Sequence, residues 1–391
     1  MSELANSKAL YQSIQSSNIA QLARMYNYCR SGSNTSMNSI IECMYIGKEQ
    51  KKQVEYFNTN NINAPLGVSV WQGIAKYGNQ LLIVGTSEPG PNTGQGVIYF
   101  GDIRCYNGTT YTLSVPLTSQ TTAQYSSVYG PRYDTSSGLF TIVGSYTLLN
   151  DTNIYAFLFR GTLSNLTNPS NYVLQMQYSS PAHIISFTHS TYGNFAVGNS
   201  GSAAAQDTES WIYNITTQSY TTISFPGSKT TTTYGIVKNL NGSYTIVGGY
   251  STSEQVSIKD IYINGLVKPV QYAFAADYNE ITNTFSNWST IQYQNNYTTH
   301  FEGISTTTNP NVYSISADVL GLNNDTTGFF LTIERQQNGS FVPNNWVSIN
   351  YGKSIRQKGL TTSNSVIDNN IVGLFIGPNG STSAFQATVN L

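Results

Sequence analysis

One short pattern, an aliphatic pair followed by glycine, recurs along the chain and constrains the fold more than any other feature. Its clearest copy is Tyr244-Thr245-Ile246-Val247-Gly248. Phe140-Thr141-Ile142-Val143-Gly144 and Leu81-Leu82-Ile83-Val84-Gly85 match it closely, and Phe195-Ala196-Val197-Gly198 and Asn370-Ile371-Val372-Gly373 follow. Val312-Tyr313-Ser314-Ile315-Ser316-Ala317 is a sixth copy, with Ala where the others carry Gly. Copies spaced very roughly 50 to 70 residues apart are the mark of a structural repeat.

Other strand-like segments keep phase with this one. Upstream of each copy lies a short segment ending in a small residue and an aliphatic: Gln72-Gly73-Ile74, Ser126-Ser127-Val128, His183-Ile184-Ile185, Tyr234-Gly235-Ile236, Glu302-Gly303-Ile304 and Lys358-Gly359-Leu360. Downstream come aromatic-rich segments such as Val97-Ile98-Tyr99-Phe100 and Trp211-Ile212-Tyr213, then alternating ones such as Trp288 to Tyr293. Asn-Gly pairs at 107–108, 241–242, 338–339 and 379–380 fall between strands, where a two-residue hairpin needs positive φ.

Four antiparallel strands repeated six times predict an all-β, six-bladed β-propeller over residues 54–391. The last repeat stops after its third strand at Leu391. Ile62-Asn63-Ala64-Pro65 mirrors Ile223-Ser224-Phe225-Pro226, so a strand near 56–65 is expected to complete the last blade and hide its edge. Inner-strand glycines suit a crowded axis, and Gly248-Gly249 read as the point where a strand leaves its sheet. Residues 1–53 do not fit the repeat. Leu10, Ile14, Leu22, Met25 and Tyr26, then Met37, Ile40, Ile41, Met44 and Tyr45, recur at helical spacing and predict a small N-terminal helical segment.

The aromatic-Gly-Ile start, the Ile-Val-Gly strand and the Ile-Ser-Phe-Pro ending, clearest at 211–226 and 233–250, resemble the short HAF-type repeats of bacterial secreted or surface proteins. The resemblance implies a propeller and a surface location. It implies no particular chemistry.

Composition narrows the partners. Charged residues are 9% of the chain and the net charge is −1, which opposes nucleic-acid binding, a function of clustered Lys and Arg. The mixed run Lys48-Glu49-Gln50-Lys51-Lys52 reads as a solvated helix end. No apolar run reaches the roughly 18 residues that span a bilayer, and no signal peptide is visible at the N-terminus. Cys29, Cys43 and Cys105 lack metal-ligand spacing.

His183, His189 and His300 form no zinc motif, and no Gly-x-Ser-x-Gly elbow appears, so neither a catalytic residue, a metal nor a cofactor is assigned. Phase alignment instead predicts a ring of polar residues at one mouth of the central channel: Gln72, Ser126, His183, Tyr234, Glu302 and Lys358, with His300 and Trp71 close by. Converging polar groups in a concave site suit a ligand; a water-filled channel is the plainer reading. Trp211, Trp288 and Trp346 read as interblade core. The chain thus reads as a non-enzymatic propeller of an extracellular, cell-surface or virion assembly, with protein partners or self-association through the N-terminal helices. A glycan-binding propeller is the alternative, and a polysaccharide hydrolase or lyase acting at the channel mouth is the second.

Overall fold

The computed structural model describes residues 53–58, 68–90, 93–101, 108–151, 153–176, 185–201, 208–252, 271–294, 298–320, 326–350, 360–376 and 382–391. The expected N-terminal helices, the three cysteines and the segment 62–65 lie outside these residues. Two compact units are distinguished, residues 56–387 and residues 1–55 with 388–391. In the second, the Asn390 N–H donates to the Gln53 carbonyl at 2.9 Å. The fold below is that of the first unit, apart from the outer ends of two strands.

The described residues form an all-β, propeller-like fold with no α-helix. Its first eight-stranded sheet contains β2 (Val70–Tyr77), β3 (Gln80–Gly90), β4 (Thr93–Gly101) and β5 (Thr109–Leu113), then β6 (Tyr125–Asp134), β7 (Leu139–Thr147), β8 (Tyr155–Gly161) and β9 (Tyr172–Met176). One parallel bridge, Gly94 to Tyr125, joins the two sets. Three four-stranded sheets follow in simple sequence order. They are β10 (Ile185–Tyr192), β11 (Phe195–Gly201), β12 (Glu209–Asn214), β13 (Ser219–Ile223); β14 (Thr230–Lys238), β15 (Tyr244–Ser251), β16 (Tyr272–Asn279), β17 (Thr284–Ile291); and β18 (Thr298–Thr306), β19 (Val312–Leu320), β20 (Thr326–Arg335), β21 (Phe341–Ile349). The last sheet runs β1 (Val54–Asn58), β24 (Thr382–Val389), β23 (Asn370–Ile376), β22 (Leu360–Ile367). An N-terminal strand does complete the last sheet, and it is Val54–Asn58.

Six strands, called first strands below, touch their neighbours in the closed cycle β2, β6, β10, β14, β18, β22 and back to β2. Burial follows from that packing. Second strands lie between neighbouring sheets, so β11 and β15 are buried along their whole length, whereas the outer β17 alternates between solvent and core. Trp211 is fully buried and donates its indole N–H to Ser200 Oγ at 2.9 Å. Trp288 packs against Phe225, Phe274 and Phe285, and Trp346 against Tyr293 and Phe329, so all three serve the core.

The recurring glycine has a specific cause. Each first strand carries a one-residue register slip, at Gln72, Tyr129, His189, Tyr234, Glu302 and Asn364. A bulge bends its strand and drives the carbonyl two residues before it toward the second strand. A Cβ on Gly85, Gly144, Gly198, Gly248 or Gly373 would overlap the carbonyl oxygen of Val70, Ser127, Phe187, Thr232 or Thr362 respectively. Gly248 therefore lies inside β15, which continues to Ser251, and is not a strand exit. Asn241-Gly242 also differs from expectation. It sits in the five-residue loop between paired Lys238 and Tyr244, with Asn239 N–H donating to the Ser243 carbonyl at 2.8 Å. The two-residue turns fall at Gly78-Asn79, Gly193-Asn194 and Asp368-Asn369, each with positive φ at its first residue.

One polar cluster ties the β14–β17 sheet to the β18–β21 sheet. The Arg335 guanidinium pairs with both Asp277 carboxylate oxygens and donates to Thr245 Oγ1 at 2.9 Å and the Tyr313 hydroxyl at 3.2 Å. Asn287 Nδ2 donates to the same carboxylate at 2.7 Å. Such a pair holds because every partner is satisfied.

Gly248→Ala, a single added methyl, is expected to cost about 3 kcal/mol, the upper part of the overpacking range. Urea unfolding measures it. A loss below about 0.5 kcal/mol, the level of ordinary surface substitutions, would show that the bulge does not demand glycine.

Candidate functional site

The register slip turns the bulged residue inward. Gln72, Tyr129, His189, Tyr234, Glu302 and Asn364 line a central cavity of about 260 Å³ together with Phe187. At roughly 30 Å³ per water, that is space for eight or nine waters, or for one sugar-sized ring. The same six residues border a second space of about 80 Å³, lined further along the strands by residues such as Arg132, Tyr192 and Ile304. The ring of bulged residues is thus a partition between the two.

Three of the sequence-predicted ring residues, Gln72, Tyr234 and Glu302, stand in this ring. Ser126 does not: it is buried, and its Oγ accepts the Val115 N–H at 2.9 Å. The ring position on that strand is Tyr129. His183 and Lys358 lie outside the described residues; the described strands that follow them in sequence place His189 and Asn364 in the ring. The cause is hairpin length. Only nine residues separate His189 from Gly198 and Asn364 from Gly373, against 13 from Gln72 to Gly85 and 14 from Tyr234 to Gly248, so a fixed count back from the Ile-Val-Gly strand drifts. The usable signal is local, a residue followed by Gly or Ser: Tyr129-Gly130, His189-Ser190 and Asn364-Ser365 parallel Gln72-Gly73. Trp71 is buried beside the ring, and its carbonyl accepts Asn364 Nδ2–H at 2.8 Å.

The ring has two unlike arcs. Tyr129, His189 and Tyr234 form an aromatic arc, with the His189 and Tyr234 rings stacked at 3.8 Å and Tyr129 5.3 Å from His189. The Tyr129 hydroxyl bonds Ser145 Oγ at 3.1 Å. Glu302, Asn364 and Gln72 form the opposite arc, of a carboxylate and two amides. His300 supports it from behind. Its Nδ1 meets Glu302 Oε1 at 2.7 Å, its Nε2 meets Thr232 Oγ1 at 2.8 Å, and its edge rests on Tyr234 at 4.5 Å. The imidazole fits because residue 249 is glycine; a Cβ there would overlap its ring. Hydroxyl, imidazole and carboxylate stand here in the order of a nucleophilic triad, but Thr232 lines neither cavity and lies 3.3 Å from the Gly249 carbonyl. The chain of contacts fixes the carboxylate.

Burial governs the titratable groups. His189 is pushed down to about 3 by burial, with the neighbouring His300 adding to it, so its imidazole is neutral at pH 7. Its Nε2 is buried and has no hydrogen-bond partner among the described residues. Burial, reinforced by the Glu302 charge, raises the Tyr234 phenol. Burial first and Glu302 second also hold the Asp318 carboxyl well above the usual carboxylate range.

Asp318 has a structural counterpart that explains its protonation. Paired across from His300, it accepts the Ser363 N–H of the next sheet at 2.8 Å. Asn199, paired across from Phe187, accepts the Thr233 N–H at 2.9 Å and donates Nδ2–H to the Thr233 carbonyl at 3.2 Å. A protonated Asp318 is the carboxylic equivalent of that amide clamp. No group of three His, Cys, Asp or Glu among the described residues is arranged to hold a metal ion.

Fold and site together define a propeller with a built central cavity. No family model matches the chain, and no curated protein matches it. Solved structures do resemble it. A Dyadobacter fermentans protein of unknown function has a TM-score of 0.51 at 9% identity, covering 86% of this chain and 100% of that one. A putative TolB from Agrobacterium tumefaciens scores 0.44 at 11% identity, covering 86% and 98%. An exo-β-1,3-galactanase from Clostridium thermocellum scores 0.44 at 11% identity, covering 85% and 83%. The first of these likenesses is one of fold alone.

Because burial raises its folded pKa, Asp318 lowers stability as pH rises from its ordinary value of 3.8 to its raised folded value, and the loss is complete above it. Asp318→Asn is therefore expected to raise stability at pH 7 by about 1–3 kcal/mol, the scale of a buried polar mismatch removed, and to flatten that part of the pH profile. Denaturant midpoints from pH 4 to pH 8 measure both. A less stable variant at pH 7 would show that the carboxylate is ionised and needed.

Proposed function

We propose that the protein is a six-bladed propeller that binds a small polar ligand, of the size of one sugar ring, in its central cavity. The blade count follows from dividing the eight-stranded sheet at its single parallel bridge and from the closed cycle of six first strands. The observation that carries the ligand reading is the buried, unpartnered Nε2 of His189 on the wall of a 260 Å³ cavity. A buried polar atom without a partner is rare and costly; a ligand atom supplies the partner. The lining also combines aromatic faces with a few converging polar groups, the composition of small-molecule sites. Titration calorimetry with monosaccharides, polyols and small amines tests this. Saturable binding that His189→Ala weakens at least tenfold is expected. Binding unaffected by His189→Ala and Tyr129→Phe, or none at millimolar concentration, would contradict it.

Self-association is a second reading, favoured by two exposed apolar residues. Leu240 and Ile281, 88% and 91% exposed, sit in the β14–β15 and β16–β17 loops at the same end of one sheet. Together with the helices expected in residues 1–52 they would mediate assembly of an extracellular or surface structure. Light scattering is expected to show an oligomer that Leu240→Ser with Ile281→Ser, or removal of residues 1–52, dissociates. A monomeric full-length chain would sink this reading.

A further inference from the structure

Resting on the central cavity as a ligand site, we infer that its ligand carries a protonated amine, held by Glu302 and Asn364 and facing the aromatic arc. Acceptors are on offer around the ring, beside the donors of the Gln72 amide and the Tyr234 hydroxyl. Asn364 must turn its amide nitrogen to the Trp71 carbonyl, because a carbonyl oxygen needs a donor, so Oδ1 is left for the cavity. Glu302 gives Oε1 to His300 and keeps Oε2 without a hydrogen bond to any described residue. His189 adds a buried Nε2, which accepts in the neutral ring when the proton sits on Nδ1.

An ammonium group offers three donors and no acceptor, the complement of that set. A carboxylate or phosphate would meet the like charge of the Glu302 carboxylate. Among the described residues, no Lys or Arg lines the 260 Å³ cavity. Arg132 borders only the smaller space and lies over the Tyr192 ring at 3.7 Å. Phe187, Tyr129 and Tyr234 add ring faces, whose negative quadrupole attracts a cation and not an anion. The carboxylate then acts twice, as a hydrogen-bond acceptor and as a counter-charge in a water-poor site.

Calorimetry on the full chain with glucosamine, glucose, glucuronate and ethanolamine separates the possibilities. Glucosamine is expected to bind roughly tenfold tighter than glucose, the difference one charge-assisted hydrogen bond makes, with glucuronate weakest. Glu302→Gln should bring glucosamine down to the affinity of glucose; should that variant fail to fold, Gln72→Glu should sharpen the preference. Ethanolamine binding as well as glucosamine would support a simple amine, and weaker binding an amino sugar. Equal affinity for glucose and glucosamine, or preference for glucuronate, would overturn the inference while leaving the cavity as a ligand site. No binding by any of the four, with none by the wider panel, would overturn both.

Discussion

A backbone collision organises this structure: the bulge on each first strand pushes a carbonyl into the space of a second-strand side chain. In five of the six pairs that space is emptied by glycine. In β19 the position is Ala317, opposite Phe301 just before the bulge at Glu302. The same slip that makes the glycine necessary rotates one side chain per strand into the channel. The repeat motif and the candidate site are therefore two consequences of one device. Scaffold and function share a backbone feature, and neither can be altered without disturbing the other.

Within a repeated frame, the residues presented differ. Blades that present Tyr129, His189 and Tyr234 give the cavity one face, and those that present Glu302, Asn364 and Gln72 give it another. The supporting contacts are specialised to match. Asn199 and Asp318 occupy equivalent places and clamp the next sheet in the same way, one as an amide and one as a carboxyl. Placing Asp318 near Glu302 keeps it protonated, so the clamp and the acidic arc are electrostatically linked. The Asp277–Arg335 cluster joins two neighbouring sheets away from the ring and leaves the channel free of that arginine.

The strand order was legible because period-two burial and glycine spacing are local signals. Tyr244 to Gly248, Leu81 to Gly85 and Phe140 to Gly144 all fall on second strands as their pattern requires. Closure by an N-terminal strand was legible from the missing fourth strand, but its position was not, since Val54–Asn58 resembles the other fourth strands only loosely. Half the ring was legible for a physical reason. Gln72, Tyr234 and Glu302 precede a glycine, whereas His189 and Asn364 precede serine and their hairpins are shorter. Tyr129 was hidden by the neighbouring Ser126-Ser127-Val128, which carries the same small-aliphatic pattern three residues earlier.

The central claim is that the bulges bury His189 in the ring, and histidine NMR tests it most directly. The chain has only His183, His189 and His300, so three imidazoles are to be followed with pH. The account predicts that the His189 ring stays neutral until the pH approaches about 3, and that adding ligand shifts its nitrogen resonances. A His189 that titrates near the ordinary value of 6.5 would mean that its imidazole is solvated, and would contradict the buried ring on which the site depends.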